Sequence, residues 1–310
     1  MKKPARYQHI LGQIFNTPML ATPALMFDAV VFAKGQLGVN VAGFTAPTMS
    51  MYDDEGDEGE GDEGQGYPNG IATIPVYGPL VARTGNLQMC SRMTAYESIA
   101  TKFMAAINDP ACLSIAFDLD TPGGTTSGAF DLANLILANR GKKPIHAIVN
   151  HAAYSAGYLI ACACDTISLS ATGGVGSIGV MMQHMDYSKM LDEEGIKVTT
   201  LTRGDNKADG DPSKPLSEPA LAQFDADLDM FYAMFTGFVA TARKMDVNAV
   251  IATQAKCYYG QSAIDAGLAD TLESPSAAIQ RVYDAQAKPA LIDPMMRQRM
   301  QAKSRLLEIS

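Results

Sequence analysis

The chain of 310 residues has no tryptophan and only four histidines. No apolar run reaches about 18 residues, so a membrane-spanning helix is not expected. The 24 basic residues are scattered and, with tryptophan missing, leave no nucleic-acid footprint. Neither G-x-x-x-x-G-K-[ST] nor G-x-G-x-x-G occurs, which removes the common phosphate loops. The five cysteines, Cys90, Cys112, Cys162, Cys164 and Cys257, are odd in number and sit among apolar residues, as thiols of a reducing compartment do. Cys162 and Cys164 are two apart on a helix-prone stretch and diverge, so no zinc is expected. The basic start (Lys2, Lys3, Arg6) runs into Asn16, Pro18, Pro23 and Asp28, which make a poor secretory leader. A cytosolic protein with neither metal nor cofactor is expected.

At 47% hydrophobic the chain can bury a sizeable core in one large domain or two. The net charge of −9 suggests an acidic protein, yet residues 53–64 alone hold eight acidic side chains. Outside them the chain is nearly neutral. Within that stretch charge repulsion and glycine entropy both oppose folding, so it reads as a disordered linker. Glu58 stands where an EF-hand loop needs glycine, which excludes that calcium motif.

Ahead of the linker, residues 7–40 read as two short amphipathic helices, an appendage to the core. The first carries Ile10, Leu11, Ile14 and Phe15; Thr22-Pro23 opens the second, with Met26, Ala29, Val30 and Ala33. The organisation expected is an N-terminal helical appendage (1–52), an acidic Gly-rich linker (53–66), a globular domain (67–285) and a helix-prone basic tail (286–310).

From Tyr67 strand-length and helix-length segments alternate. Strands are predicted at 71–77, 113–120, 144–149, 166–169 and 197–202. Helices are predicted at 95–107, 127–139, 156–164 and around 187–194. This order implies an α/β fold, a largely parallel sheet with right-handed crossovers, whose sites form beyond the carboxyl ends of strands. A long helix follows Ser217-Glu218-Pro219, with Leu221, Phe224, Leu228, Phe231, Phe235 and Phe238 along one stripe. That stripe either packs on its own domain or forms a subunit seam.

Two of the turns at strand ends carry chemistry. The first is Asp118-Leu119-Asp120-Thr121-Pro122-Gly123-Gly124, whose glycines let bare backbone approach a ligand. The second is Tyr154-Ser155-Ala156-Gly157, where a strand gives way to an Ala-rich helix. Ser155 reads either as a plain N-cap or as a nucleophile beside unpaired amides and a positive helix end. With Ala156, the Gly123 and Gly124 amides can form an oxyanion hole. A serine nucleophile needs a base, and the histidines are poor candidates: His9 is in the appendage, His146 within a strand, His151 four residues before the serine, and His184 the better spare. Lys207, in the polar loop 203–212, is the other candidate. Lysine is a base only when desolvated, and the plain alternative is an exposed lysine paired with nearby aspartates.

The ordered set Asp120-Thr121-Pro122-Gly123-Gly124, Tyr154-Ser155-Ala156-Gly157, Gly176-Ser177-Ile178-Gly179-Val180, Asn206-Lys207-Ala208-Asp209-Gly210-Asp211-Pro212 and Gly260-Gln261-Ser262-Ala263-Ile264-Asp265-Ala266-Gly267-Leu268-Ala269-Asp270 resembles the S49 (signal peptide peptidase A-like) serine peptidases. The resemblance is closest to the prohead or capsid-maturation proteases of lambda-like phages, and an absent anchor favours that branch over the bacterial membrane enzymes. It implies a Clp protease/crotonase-like fold and a Ser–Lys dyad. It makes Ser155 the nucleophile, Lys207 the base, and Gly123, Gly124 and Ala156 the oxyanion donors. The substrates it implies are phage scaffold, portal and capsid proteins and the enzyme's own termini, met by a homo-oligomer in the bacterial host cytoplasm. Such relatives often carry a scaffold segment after the peptidase, so a scaffold is expected as a separate chain or a further segment. Two rivals are a non-catalytic scaffold-binding protein on this fold and, more weakly, a crotonase-type thioester enzyme.

Overall fold

A computed structural model describes residues 16–36, 67–83 and 93–290. The acidic linker, the first predicted N-terminal helix and residues 291–310 lie outside the described residues. The elements are β1 (Met19–Ala21), α1 (Pro23–Gln36), β2 (Ile71–Tyr77), β3 (Leu80–Val81), β4 (Thr94–Ala95), α2 (Tyr96–Asn108), β5 (Ser114–Thr121), β6 (Gly123–Thr125) and α3 (Ala129–Ala138). They continue with β7 (Ile145–Tyr154), α4 (Ala156–Cys162), β8 (Thr166–Leu169), β9 (Gly174–Gly176), α5 (Ser188–Glu193), α6 (Glu218–Arg243), α7 (Val247–Ile251), β10 (Cys257–Tyr259), α8 (Gln261–Asp265), β11 (Thr271–Leu272) and α9 (Pro275–Ala290).

Apolar content explains the main sheet. β5 and β7 are mostly apolar and buried on both faces through 114–117 and 145–149, as central parallel strands must be. β7 pairs in parallel with β5 on one side; on the other it pairs with β8 through 146–149 and β9 through 152–154. β2 lies at the edge, where Pro75 costs no ladder bond, and alternates buried with exposed residues from Ile74 onward. Only β10 runs antiparallel, against β9. One face is covered by α2 and α3, with Phe103 stacked on Phe117 at 5.7 Å. The other is covered by α9 through Ala278 and Val282. A second, smaller sheet runs β1-β6-β3-β4.

Arg140 fastens two helices together. Its guanidinium donates to Cys162 O (2.6 Å), Ala163 O (2.9 Å) and Cys164 O at the end of α4, and to Ala242 O (3.1 Å) near the end of α6. These carbonyls have no partner within their own helices, and a cation there also meets the negative end of each dipole. Arg140→Ala should therefore lower stability by about 2–4 kcal/mol, read as a fall in denaturation midpoint at unchanged m-value.

Three expectations need correction or refinement. Residues 197–202 are not a strand: they form no regular element, and Ile196, Val198 and Leu201 are exposed, Leu201 at 87%. Their apolar pattern resembles a strand, but no sheet edge accepts it. Residues 7–40 are not wholly peripheral, because Met19–Ala21 form β1 against β6, and Leu20 and Met26 are fully buried. The α6 stripe divides. Phe235 packs inward, edge-on to Phe130 at 6.4 Å, Phe224, Leu228, Phe231 and Phe238 are half-buried, and Leu221 is exposed; off the stripe, Val239 and Ala242 are buried while Met230 and Met234 are exposed.

Candidate active site

Ser155 is the single residue between β7 and α4, with φ 53° and ψ −113°. A side chain in that region is strained, and such strain persists only where the surroundings fix it. Here the backbone is fixed on both sides: the Ser155 N–H donates to Gly176 O at 2.9 Å, and its carbonyl accepts from the Leu159 N–H at 2.9 Å. The hydroxyl is left almost unused. It makes no capping bond to α4, and among the described residues its one partner is Gly179 O at the long distance of 3.5 Å. A plain N-cap would spend its hydroxyl on the helix amides; this one does not. The residue is completely buried.

Close packing brings the glycine turn to the serine. A Cβ on Gly157 would lie 2.4 Å from the Thr121 methyl, so only glycine lets α4 sit against the end of β5. Thr121 Oγ1 donates to Gly78 O at 2.6 Å and accepts the Gly123 N–H at 3.1 Å, which holds the Pro-Gly-Gly turn in shape. Gly123, at φ +97°, is next to the serine: a Cβ there would be 3.0 Å from Ser155 Cβ. A Cβ on Gly124 would be 1.9 Å from Leu80 O, so that residue must be glycine for β6 to pair with β3. Ala156 opens α4, and its N–H is among the first-turn amides without an intrahelical acceptor. Ser155, Gly123, Gly124 and Ala156 thus share one buried corner.

Lys207 is elsewhere in character. It lies in a 3-10 turn, Asp205–Ala208, and is exposed. Among the described residues no hydrogen bond joins it to Ser155, and no ion pair within 4.0 Å links it to Asp205 or Asp209. Among the described residues no histidine is hydrogen-bonded to the serine, and His9 lies outside them. His146 is buried in β7 against Thr166 Oγ1 at 2.8 Å, and burial lowers its pKa, so it stays neutral. His151 is exposed, and His184 Nδ1 shares a hydrogen bond of 3.0 Å with Asn16 Oδ1. Nor do thiols compete. Burial pushes Cys162 up to about 12 and Cys164 well above its usual range, so neither is a thiolate near neutral pH.

Sequence reasoning did not single out Thr121, the Gly179 carbonyl or strand β1. Thr121 sat within a quoted motif, where its place between proline-glycine and a strand end could have drawn notice. β1 is only three residues long and carries no period to read. Among the described residues no helix is long and apolar enough to cross a membrane.

Residues 138–288 match the model of peptidase family S49. Over 287 residues the chain is 36% identical to capsid assembly protease C of Escherichia phage lambda, covering 89% of this chain and 65% of that protein. It is also 36% identical over 280 residues to head-tail preconnector protein GP5 of Enterobacteria phage P21, covering 87% and 56%. The chain therefore spans less than two thirds of either relative's length. Among solved structures, the 1510-N membrane protease specific for a stomatin homolog from Pyrococcus horikoshii overlaps 68% of this chain and 77% of its own, at a TM-score of 0.42 and 12% identity, a loose likeness. The largely parallel sheet between helices is the α/β architecture expected from the alternating strands and helices. Residues 138–288 thus carry a peptidase S49 domain, and most of the chain is similar to the two phage proteins.

Proposed function

We propose that the protein is a serine endopeptidase of phage head maturation, working through a Ser155–Lys207 dyad in the bacterial host cytoplasm. The observation that carries this reading is the strained, fully buried Ser155 whose hydroxyl caps nothing, set at the amide-lined turn of β6. Neutral Lys207 takes the hydroxyl proton as Oγ attacks a peptide carbonyl. The Gly124 and Ala156 amides hold the oxyanion, joined by Gly123 once its N–H leaves Thr121 Oγ1. The lysine then returns the proton to the leaving amine, and a water activated the same way releases the acyl group. Since Lys207 is exposed here, loop 203–212 must close over Ser155 for this chemistry. The names of the two phage relatives support head proteins as substrates: scaffold, portal and capsid chains, and the enzyme's own termini.

The exposed lysine also supports a second reading, a scaffold-binding assembly protein that never turns over. Mass spectrometry of head proteins co-expressed with the protein separates the two. New termini that vanish with Ser155→Ala support the peptidase, and intact chains beside stable binding support the rival.

The exposed Leu201, Leu221, Met230 and Met234 fit burial against a second copy of the chain. Sedimentation should accordingly give a homo-oligomer, and Met230→Lys with Met234→Lys should shift it to monomer. A monomer in the unaltered protein would dismiss the seam.

A further inference from the structure

Strand β1 is part of the smaller sheet and buries Leu20 in the core, and it also lies across the candidate site. It runs antiparallel to β6 with Met19 opposite Thr125, Leu20 opposite Gly124 and Ala21 opposite Gly123. The Thr22 N–H donates to Pro122 O at 3.1 Å. By the alternation of antiparallel ladders the next hydrogen-bonded pair is Leu20 with Gly124, which turns the Gly124 amide toward the Leu20 carbonyl. That carbonyl also lies beside the serine. The point where a Cβ would stand on Gly123 is 2.2 Å from Leu20 O and 3.0 Å from Ser155 Cβ. On its other edge β1 is held by Met181, which exchanges two bonds with Met19 at 2.8 and 3.0 Å. An extended segment bonded on both edges, with one carbonyl set against a proposed oxyanion donor and nucleophile, is how a peptide is bound by strand addition.

The edge admits a single occupant. β6 has one flank paired with β3 and the other with β1, so no other strand can reach the Gly124 amide while β1 is in place. The same segment also restrains the lysine loop. Asn16 Nδ2 donates to Gly210 O at 2.8 Å, three residues beyond Lys207, and the Asn16 N–H donates to Gln183 O at 3.0 Å.

We propose that residues 16–21 are an internal competitor that fills the peptide groove beside Ser155 and pins the Lys207 loop, so that an extended apolar substrate must displace them before it is cut. This rests on the peptidase reading of Ser155. A competitor on the same chain acts at an effective concentration of order millimolar, which a dilute substrate cannot match until the segment lifts.

The test locks the segment in place. Met19 and Met181 form a hydrogen-bonded antiparallel pair, whose Cα separation of about 5.5 Å suits a disulfide. In the full-length chain, Met19→Cys with Met181→Cys should cleave fluorescein-casein at least about tenfold more slowly when oxidised than after reduction. In the Ser155→Ala background the same pair should weaken binding of a fluorescein-labelled peptide of residues 15–24 to a similar degree when oxidised. Equal rates and equal binding in the two redox states would overturn the proposal. Gated binding with no cleavage in either state would uphold the occupancy and remove the peptidase reading. A milder variant, Asn16→Gly, keeps the left-handed backbone at φ 58° while deleting the amide that holds Gly210. It should raise casein cleavage two- to fivefold, and an unchanged or lower rate at an unchanged melting temperature would refute the pinning of the loop.

Discussion

Ser155→Ala should reduce cleavage of co-expressed head proteins by about 10⁴-fold or more while the protein melts where the original does. Both halves follow from the geometry. The hydroxyl caps no helix and makes one bond of 3.5 Å among the described residues, so its loss removes little native energy. The backbone strain at φ 53° is the same for alanine as for serine, and the fixing bonds to Gly176 and Leu159 are made by the main chain. Ser155→Gly provides an independent control. Glycine tolerates that φ without strain, so this variant should be equally inactive and at least as stable. Full cleavage by either variant would remove Ser155 from the chemistry. Loss of folding in both would make the residue structural.

The parts of this picture readable from sequence are those whose physical cause is local. β5 and β7 were visible because strands buried on both faces must be apolar runs, and α4 because a helix inside the core must be small and apolar on every side. The turn at Ser155 followed from where those two patterns meet. Its left-handed conformation did not, since that comes from the long-range bonds to Gly176 and the fit of Gly157 against Thr121. Residues 197–202 show the reverse failure: Val198 and Leu201 have strand character, but a strand needs a partner that sequence periodicity cannot supply. β1 was hidden for a related reason. Three residues fix their conformation only by pairing with a strand about a hundred positions away. Lys207 was a candidate from its loop position alone, and the order of motifs put it ahead of the histidines, because an exposed loop lysine has no local signature of a base.

Lys207→Ala should cost about 10²–10⁴-fold in cleavage, the range that a positioned general base supplies. The structure makes this a clean experiment. Lys207 is exposed and has no ion pair within 4.0 Å among the described residues, so its removal should change stability by no more than about 0.5 kcal/mol. A large loss of activity at constant stability then has to come from chemistry. Lys207→Arg should not restore it, because a guanidinium keeps its proton and cannot accept the one from Ser155. The pH dependence carries the same logic. A base that acts only as the neutral amine makes the rate climb as pH rises, and that climb should be missing from whatever activity Lys207→Ala retains. A variant within threefold of the original, with the rising limb intact, would assign the base to another group. A strong loss in Lys207→Ala that leaves peptide binding to the Ser155→Ala background untouched would place the lysine in the proton transfer and not in the groove.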